Sequence, residues 1–168
     1  MKLFRQIAFS AIVTLSAFAA VTYTSCSKDK CSGITCSNVG TCSNGVCTCN
    51  TGYEGTNCET KSNAKFVGTF NAAESCGGTN STPYQVTITA DATDPTKLTV
   101  GNLGNYNCSG GTITFDATVN LTTLTIAESK CSTQMNATGT YNTNGSITIT
   151  YTAIYGSNTD NCTVTLTK

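Results

Sequence analysis

From residue 65 to the C-terminus, apolar and polar positions take turns. Val86, Ile88 and Ala90 are separated by Thr87 and Thr89, and Ile113, Phe115, Ala117 and Val119 interleave with Thr112, Thr114, Asp116 and Thr118. Ile147, Ile149, Tyr151, Ala153 and Tyr155 alternate with Thr148, Thr150 and Thr152, and Cys162, Val164 and Leu166 with Thr163, Thr165 and Thr167. A period of two with β-branched residues on the wet face describes antiparallel strands that bury one side. The pattern predicts eight strands near 65–74, 84–91, 96–102, 111–119, 121–128, 135–141, 146–155 and 161–167. Turn residues separate them at Asp94-Pro95, Gly101 to Gly104, Ser109-Gly110-Gly111, Asn144-Gly145 and Gly156-Ser157-Asn158. Short connections in succession imply an all-β meander that closes into a barrel or a partly open one. Phe66, Phe70, Tyr84, Leu98, Phe115 and Tyr151 are its expected core, and Tyr106 is expected to be exposed.

The first 64 residues follow other rules. Lys2 and Arg5 precede a mostly apolar stretch from Ile7 to Val21, interrupted by Ser10, Thr14 and Ser16. That stretch is short of the ~20 residues a transmembrane helix needs and reads as the apolar part of a signal peptide over residues 1–25. Cleavage after Ala17-Phe18-Ala19 satisfies a small-x-small rule. Alternatively, Tyr23-Thr24-Ser25-Cys26 resembles a bacterial lipobox with Tyr where Leu is usual. The tether Cys26-Ser27-Lys28-Asp29-Lys30 resembles that of lipoproteins of the Bacteroidetes group, which implies a lipid on Cys26 and a place on the outer membrane. Eleven cysteines is an odd number, and acylating Cys26 leaves ten that can all pair.

Residues 31–59 contain no core to speak of, since Ile34, Val39, Val46 and Tyr53 are the only large apolar side chains. A unit this small needs staples. Six cysteines, Cys31, Cys36, Cys42, Cys47, Cys49 and Cys58, follow the spacing C-x4-C-x5-C-x4-C-x-C-x8-C, with Gly52-Tyr53-Glu54-Gly55 inside the last interval. This segment resembles the EGF-like family. The resemblance implies the pairs Cys31–Cys42, Cys36–Cys47 and Cys49–Cys58, from the 15 pairings that six cysteines allow. Asn44-Gly45 is a two-residue hairpin signal. Zinc is not expected, because an exported chain does not keep thiolates reduced. Calcium is not expected either: Asp29 is a lone carboxylate between Lys28 and Lys30, and Ca²⁺ takes several charged oxygens. Thr60 to Ala64 reads as a short polar linker.

Cys76, Cys108, Cys131 and Cys162 remain, with three possible pairings. In a closed meander the first and last strands are neighbours, which favours Cys76–Cys162 and leaves Cys108–Cys131. Gly68-Thr69-Phe70 and the closing Cys-x-Val-x-Leu-x-Lys run resemble calycin-type, lipocalin-like β domains of bacterial lipoproteins.

Charge and composition then narrow the function. Removing Lys2 and Arg5 from nine basic residues leaves seven against nine acidic ones, a net charge of −2 for residues 26–168, without Arg, His or Trp. Nothing there neutralises a run of phosphates, so nucleic acid is excluded as a partner. Without histidine there is no Ser-His or Cys-His nucleophile pair. The carboxylate pairs Asp91/Asp94 and Glu74/Asp160 are the remaining acid-base candidates, although Asp94 before Pro95 is a turn residue. The expectation is a non-enzymatic, lipid-anchored surface protein that contacts an extracellular protein or glycan, with no cofactor. The alternative is a small lipocalin-like carrier of an apolar ligand.

Overall fold

The computed structural model describes residues 29–168; the expected signal peptide over residues 1–25 and the expected lipidation site Cys26 lie outside the described residues. Eight strands form a closed antiparallel barrel: β1 (Gly68–Cys76), β2 (Tyr84–Ala90), β3 (Lys97–Gly101), β4 (Thr114–Asn120), β5 (Thr123–Lys130), β6 (Thr133–Tyr141), β7 (Ile147–Tyr155) and β8 (Asn158–Thr167). Each pairs with the next, and β8 returns to β1 with Cys162 opposite Cys76 and Thr167 opposite Asn71. Alternation sets the register. In β6, Thr133, Met135, Ala137 and Gly139 point inward while Gln134, Asn136, Thr138 and Thr140 face water.

Three strand starts differ from the sequence expectation by three residues, each for a local reason. The first strand begins at Gly68 because Ala64–Phe66 forms a 3₁₀ turn that tucks Phe66 into the barrel. The fourth begins at Thr114, since Gly111–Thr112 folds back onto Asn107–Cys108 as a separate small ladder. The last begins at Asn158, which faces Tyr155 across the two-residue turn Gly156-Ser157. The ladder between β4 and β5 covers only three residue pairs, from Thr118↔Thr125 to Asn120↔Thr123. Beyond it side chains take over. The Asp116 amide donates to Glu128 Oε2 at 2.7 Å, and Lys130 Nζ donates to the Thr114 carbonyl at 3.0 Å.

The interior is apolar and filled. Phe66, Phe70, Phe115, Leu124, Met135 and Ile149 each expose 1 % or less of their surface. Burying a side chain of this size contributes ~1.5–3 kcal/mol. Phe66 enters from one end of the barrel, edge-on to Tyr141 with ring centroids 5.6 Å apart. Leu103, on the β3–β4 connection, closes the other end and is fully buried. Tyr84, expected in the core, is only half-buried, because it opens β2 at the barrel's end and its hydroxyl reaches a polar cleft.

Residues 31–59 form a disulfide-stapled unit around the hairpin Thr41–Ser43/Val46–Thr48, turned by Asn44-Gly45 with both φ positive, at 52° and 88°. Residues 60–64 are not a free linker. Thr60–Lys61 pairs with Tyr53–Glu54, and Ser62 and Asn63 have no exposed surface. Asn63 Nδ2 donates to the carbonyls of Asp94 and Lys97 at 3.1 and 3.0 Å, and its backbone amide donates to the Pro95 carbonyl. Lys61 Nζ reaches the Ala92 carbonyl at 2.9 Å, and Lys65 pairs with Glu54 at 2.7 Å. Gly52 lies against Pro95 at φ 87°, where an added Cβ would come within 2.7 Å of the proline ring. The unit is therefore welded to the β2–β3 loop. The polar composition of residues 60–64 concealed this, because the Lys61 and Asn63 side chains bond to loop carbonyls rather than to water.

Strand direction fixes which loops share a pole. β1 leaves the weld at Gly68 and ends at Cys76. The connections 77–83, 102–113, 131–132 and 156–157 accordingly gather at the pole away from the disulfide-stapled unit.

Candidate functional site

A cleft of about 710 Å³ opens among those far-pole loops. Its floor is a hydroxyl–carboxylate network. Glu74, near the end of β1, is 7 % exposed, and its Oε1 accepts from the Tyr84 hydroxyl at 2.7 Å and the Tyr151 hydroxyl at 2.6 Å. Ser81 Oγ lies 3.3 Å from the other oxygen, and the Gly104 amide donates to the Tyr84 hydroxyl at 3.0 Å. Gly104 sits at φ 73°, and a Cβ there would run into the Tyr106 ring and within 2.7 Å of the Tyr151 hydroxyl. The loop can lie this close to the network only because residue 104 is glycine.

The cleft's wall is aromatic and acidic. Tyr106 donates its hydroxyl to Asp160 Oδ2 at 2.7 Å, and its ring is tilted against Tyr155 with centroids 5.4 Å apart. No lysine lines the cleft among the described residues. Burial, reinforced by the hydrogen-bonded carboxylates, pushes the Tyr84, Tyr106 and Tyr151 hydroxyls well above the usual tyrosine range. These three hydroxyls therefore remain neutral donors, committed to the two carboxylates.

Tyr106, expected at the surface, is half-buried because Asp160 and Tyr155 hold it down. Glu74 and Asp160, weighed as a pair from sequence, both line the cleft. Asp91 and Asp94 instead organise the β2–β3 loop. Asp91 Oδ1 accepts the amides of Asp94 and Thr93 and the Thr93 hydroxyl, each at 2.8 Å, and Asp94 Oδ1 caps Thr96 in the same way. Asp29 Oδ1 accepts the Cys31 amide at 3.0 Å.

The cysteines pair as Cys31–Cys42, Cys36–Cys47, Cys49–Cys58, Cys76–Cys162 and Cys108–Cys131. The last two flank the cleft: Cys76–Cys162 joins β1 to β8, and Cys108–Cys131 ties the β3–β4 connection to the β5–β6 turn. Glu74, Cys76 and Cys162 bring potential ligand atoms within 4.8 Å of one another, but both sulfurs are consumed in the disulfide and offer no thiolate.

Sequence reasoning placed Tyr84 and Tyr151 in the core and did not join them to Glu74. Parity carried the missing signal. Glu74 shares the inward face of Phe70 and Ala72, and Asp160 that of Cys162, Val164 and Leu166. A carboxylate in the apolar phase of a strand requires partners or a ligand. Comparison with protein-family models, curated proteins and solved structures finds no match for this chain. Fold and site together define a closed eight-stranded barrel, stapled to a disulfide-rich unit at one pole and carrying a polar, tyrosine-lined cleft at the other.

Proposed function

We propose that this chain is a non-enzymatic, lipid-anchored surface protein in which an EGF-like unit acts as a stiff spacer and the barrel presents a binding cleft to an extracellular protein or glycan. The observation that carries the reading is polarity: the cleft lies at the pole opposite the unit that follows Cys26 in the chain. The buried junction at Ser62 and Asn63 supports a spacer that transmits orientation rather than a loose tether. Filling of the interior by aromatic and aliphatic side chains favours an external contact over an apolar passenger. The test is made on intact cells that express the full chain. Incorporation of a palmitate analogue should disappear in Cys26→Ser, and an antibody to the far-pole loops should bind unpermeabilised cells. An unacylated mature chain that starts at Ala20 would end the anchor reading. An apolar molecule retained through native mass spectrometry would replace display with carriage.

A further inference from the structure

Resting on that display reading, we infer that the far-pole cleft takes a cationic amine, a lysine or arginine side chain of a protein partner, held between the Tyr106/Tyr155 pair and the carboxylates of Asp160 and Glu74. Three features converge. The cleft is a built cavity of about 710 Å³ with two carboxylates in its lining and no lysine beside them among the described residues. Glu74 is more than nine-tenths buried yet meets only neutral hydroxyls: Tyr84, Tyr151 and Ser81. A buried charge is ordinarily matched by an opposite one, and here the place for it is the open cleft.

The direction of the hydrogen bonds adds the second argument. The Tyr84, Tyr106 and Tyr151 protons all point at carboxylates. What these groups leave for a visitor is acceptor capacity, on the tyrosine oxygens and on Asp160 Oδ1. An ammonium or guanidinium is all donor and complements that surplus through charge-assisted bonds, whereas an anion meets repulsion. The tilted Tyr106 and Tyr155 rings, 5.4 Å apart, supply π faces next to Asp160, the third feature a desolvating cation uses. Among the described residues, Lys130 is engaged with Asp116 and Glu128, Lys65 with Glu54, Lys97 with Asp94 and Lys61 with the Ala92 carbonyl, all away from the cleft. Position agrees with chemistry, since the far pole is where a partner protein would approach.

The experiment is an NMR titration of the full chain, labelled at tyrosine and glycine amides, with Nα-acetyl-lysine methylamide and with its Nε-acetylated, uncharged counterpart. The amides of Gly104, Tyr106, Tyr155 and Gly156 should shift with the first and not with the second. Asp160→Asn should weaken binding at least five-fold, and so should raising the salt from 50 to 500 mM, which shortens the screening length to a few ångströms. Equal shifts from both compounds, no shifts, or an Asp160→Asn variant that binds unchanged would each overturn the proposal. Maltotriose serves as a neutral glycan control. If it moves the same four amides while the lysine compound does not, the cation assignment falls and the display reading stands. If the cleft binds the amine but the chain is neither acylated nor displayed, the display reading falls and the cleft assignment stands.

Discussion

Asn63 tests the claim that the disulfide-stapled unit and the barrel move as one. Its side chain has no exposed surface and donates two hydrogen bonds, to the carbonyls of Asp94 and Lys97. Each such bond contributes ~1 kcal/mol net, so Asn63→Ala removes about 2 kcal/mol. Neither carbonyl is stranded by the change: the Lys97 amide still donates to Asp94 and the Asp91 amide to Lys97. Asn63 Oδ1 has no partner of its own, so deleting it returns part of the loss, while the small void left behind adds to it. The expected net cost is about 1–2 kcal/mol, which for a barrel of this size lowers the midpoint by roughly 5–12 °C. Asn63→Asp is the sharper perturbation. It keeps the shape but turns two donors into a buried carboxylate facing two carbonyls, and it should cost more than Asn63→Ala, about 3 kcal/mol or more. Urea titration with the disulfides intact measures both variants. Backbone relaxation of residues 31–59 reads the second consequence, faster independent tumbling of the stapled unit once the weld is weakened. An aspartate variant as stable as the alanine one would refute the hydrogen-bond assignment. Unchanged stability together with unchanged relaxation in Asn63→Ala would refute the weld.

The barrel disulfides should rank by the loops they close. Replacing Cys76 and Cys162 together frees a separation of 86 residues and replacing Cys108 and Cys131 one of 23, so chain entropy gives losses of ~4.6 and ~3.4 kcal/mol, and the reverse order in urea midpoints would reject this account. Asp91 is held down to about 2, first by the Asp94 amide and then by Thr93, against 3.8 when free. A depressed carboxylate stabilises the fold above its free value. That contribution should therefore be intact above about pH 4, fade as the pH falls towards 2, and be missing from the acid limb of Asp91→Asn. Tyr84, Tyr106 and Tyr151, raised chiefly by burial, should stay protonated in an absorbance titration carried past the ordinary tyrosine value of 10. Stability should decline only as the pH climbs past the ordinary tyrosine value of 10. A single titration step that covers all tyrosines near pH 10 would contradict the burial of these hydroxyls.

Much of this protein is written in local pattern. Period-two alternation located eight strands, because a strand with one wet and one dry face can be built in few other ways. Asn44-Gly45 and Gly156-Ser157 mark hairpins through backbone preference alone. Where strands start was less legible. Phe66 has strand-like neighbours in sequence, yet it leaves the sheet to plug the barrel's end, and only the empty volume there decides that. Residues 60–64 look like solvent-loving linker in sequence, because composition cannot tell a side-chain amide that bonds to water from one that bonds to a loop 31 residues away. The cleft is the plainest case. Glu74 was visible as a charge in the apolar phase of β1, and Tyr84 and Tyr151 as aromatic residues in the apolar phases of β2 and β7. Their meeting on one carboxylate oxygen depends on barrel closure, which brings residues 77 positions apart within 2.6 Å. The sequence by itself thus determined the alternation and the turns, which act over a few residues. The tertiary structure decided the weld, the plug and the cleft, since each needs burial shared by segments distant in the chain.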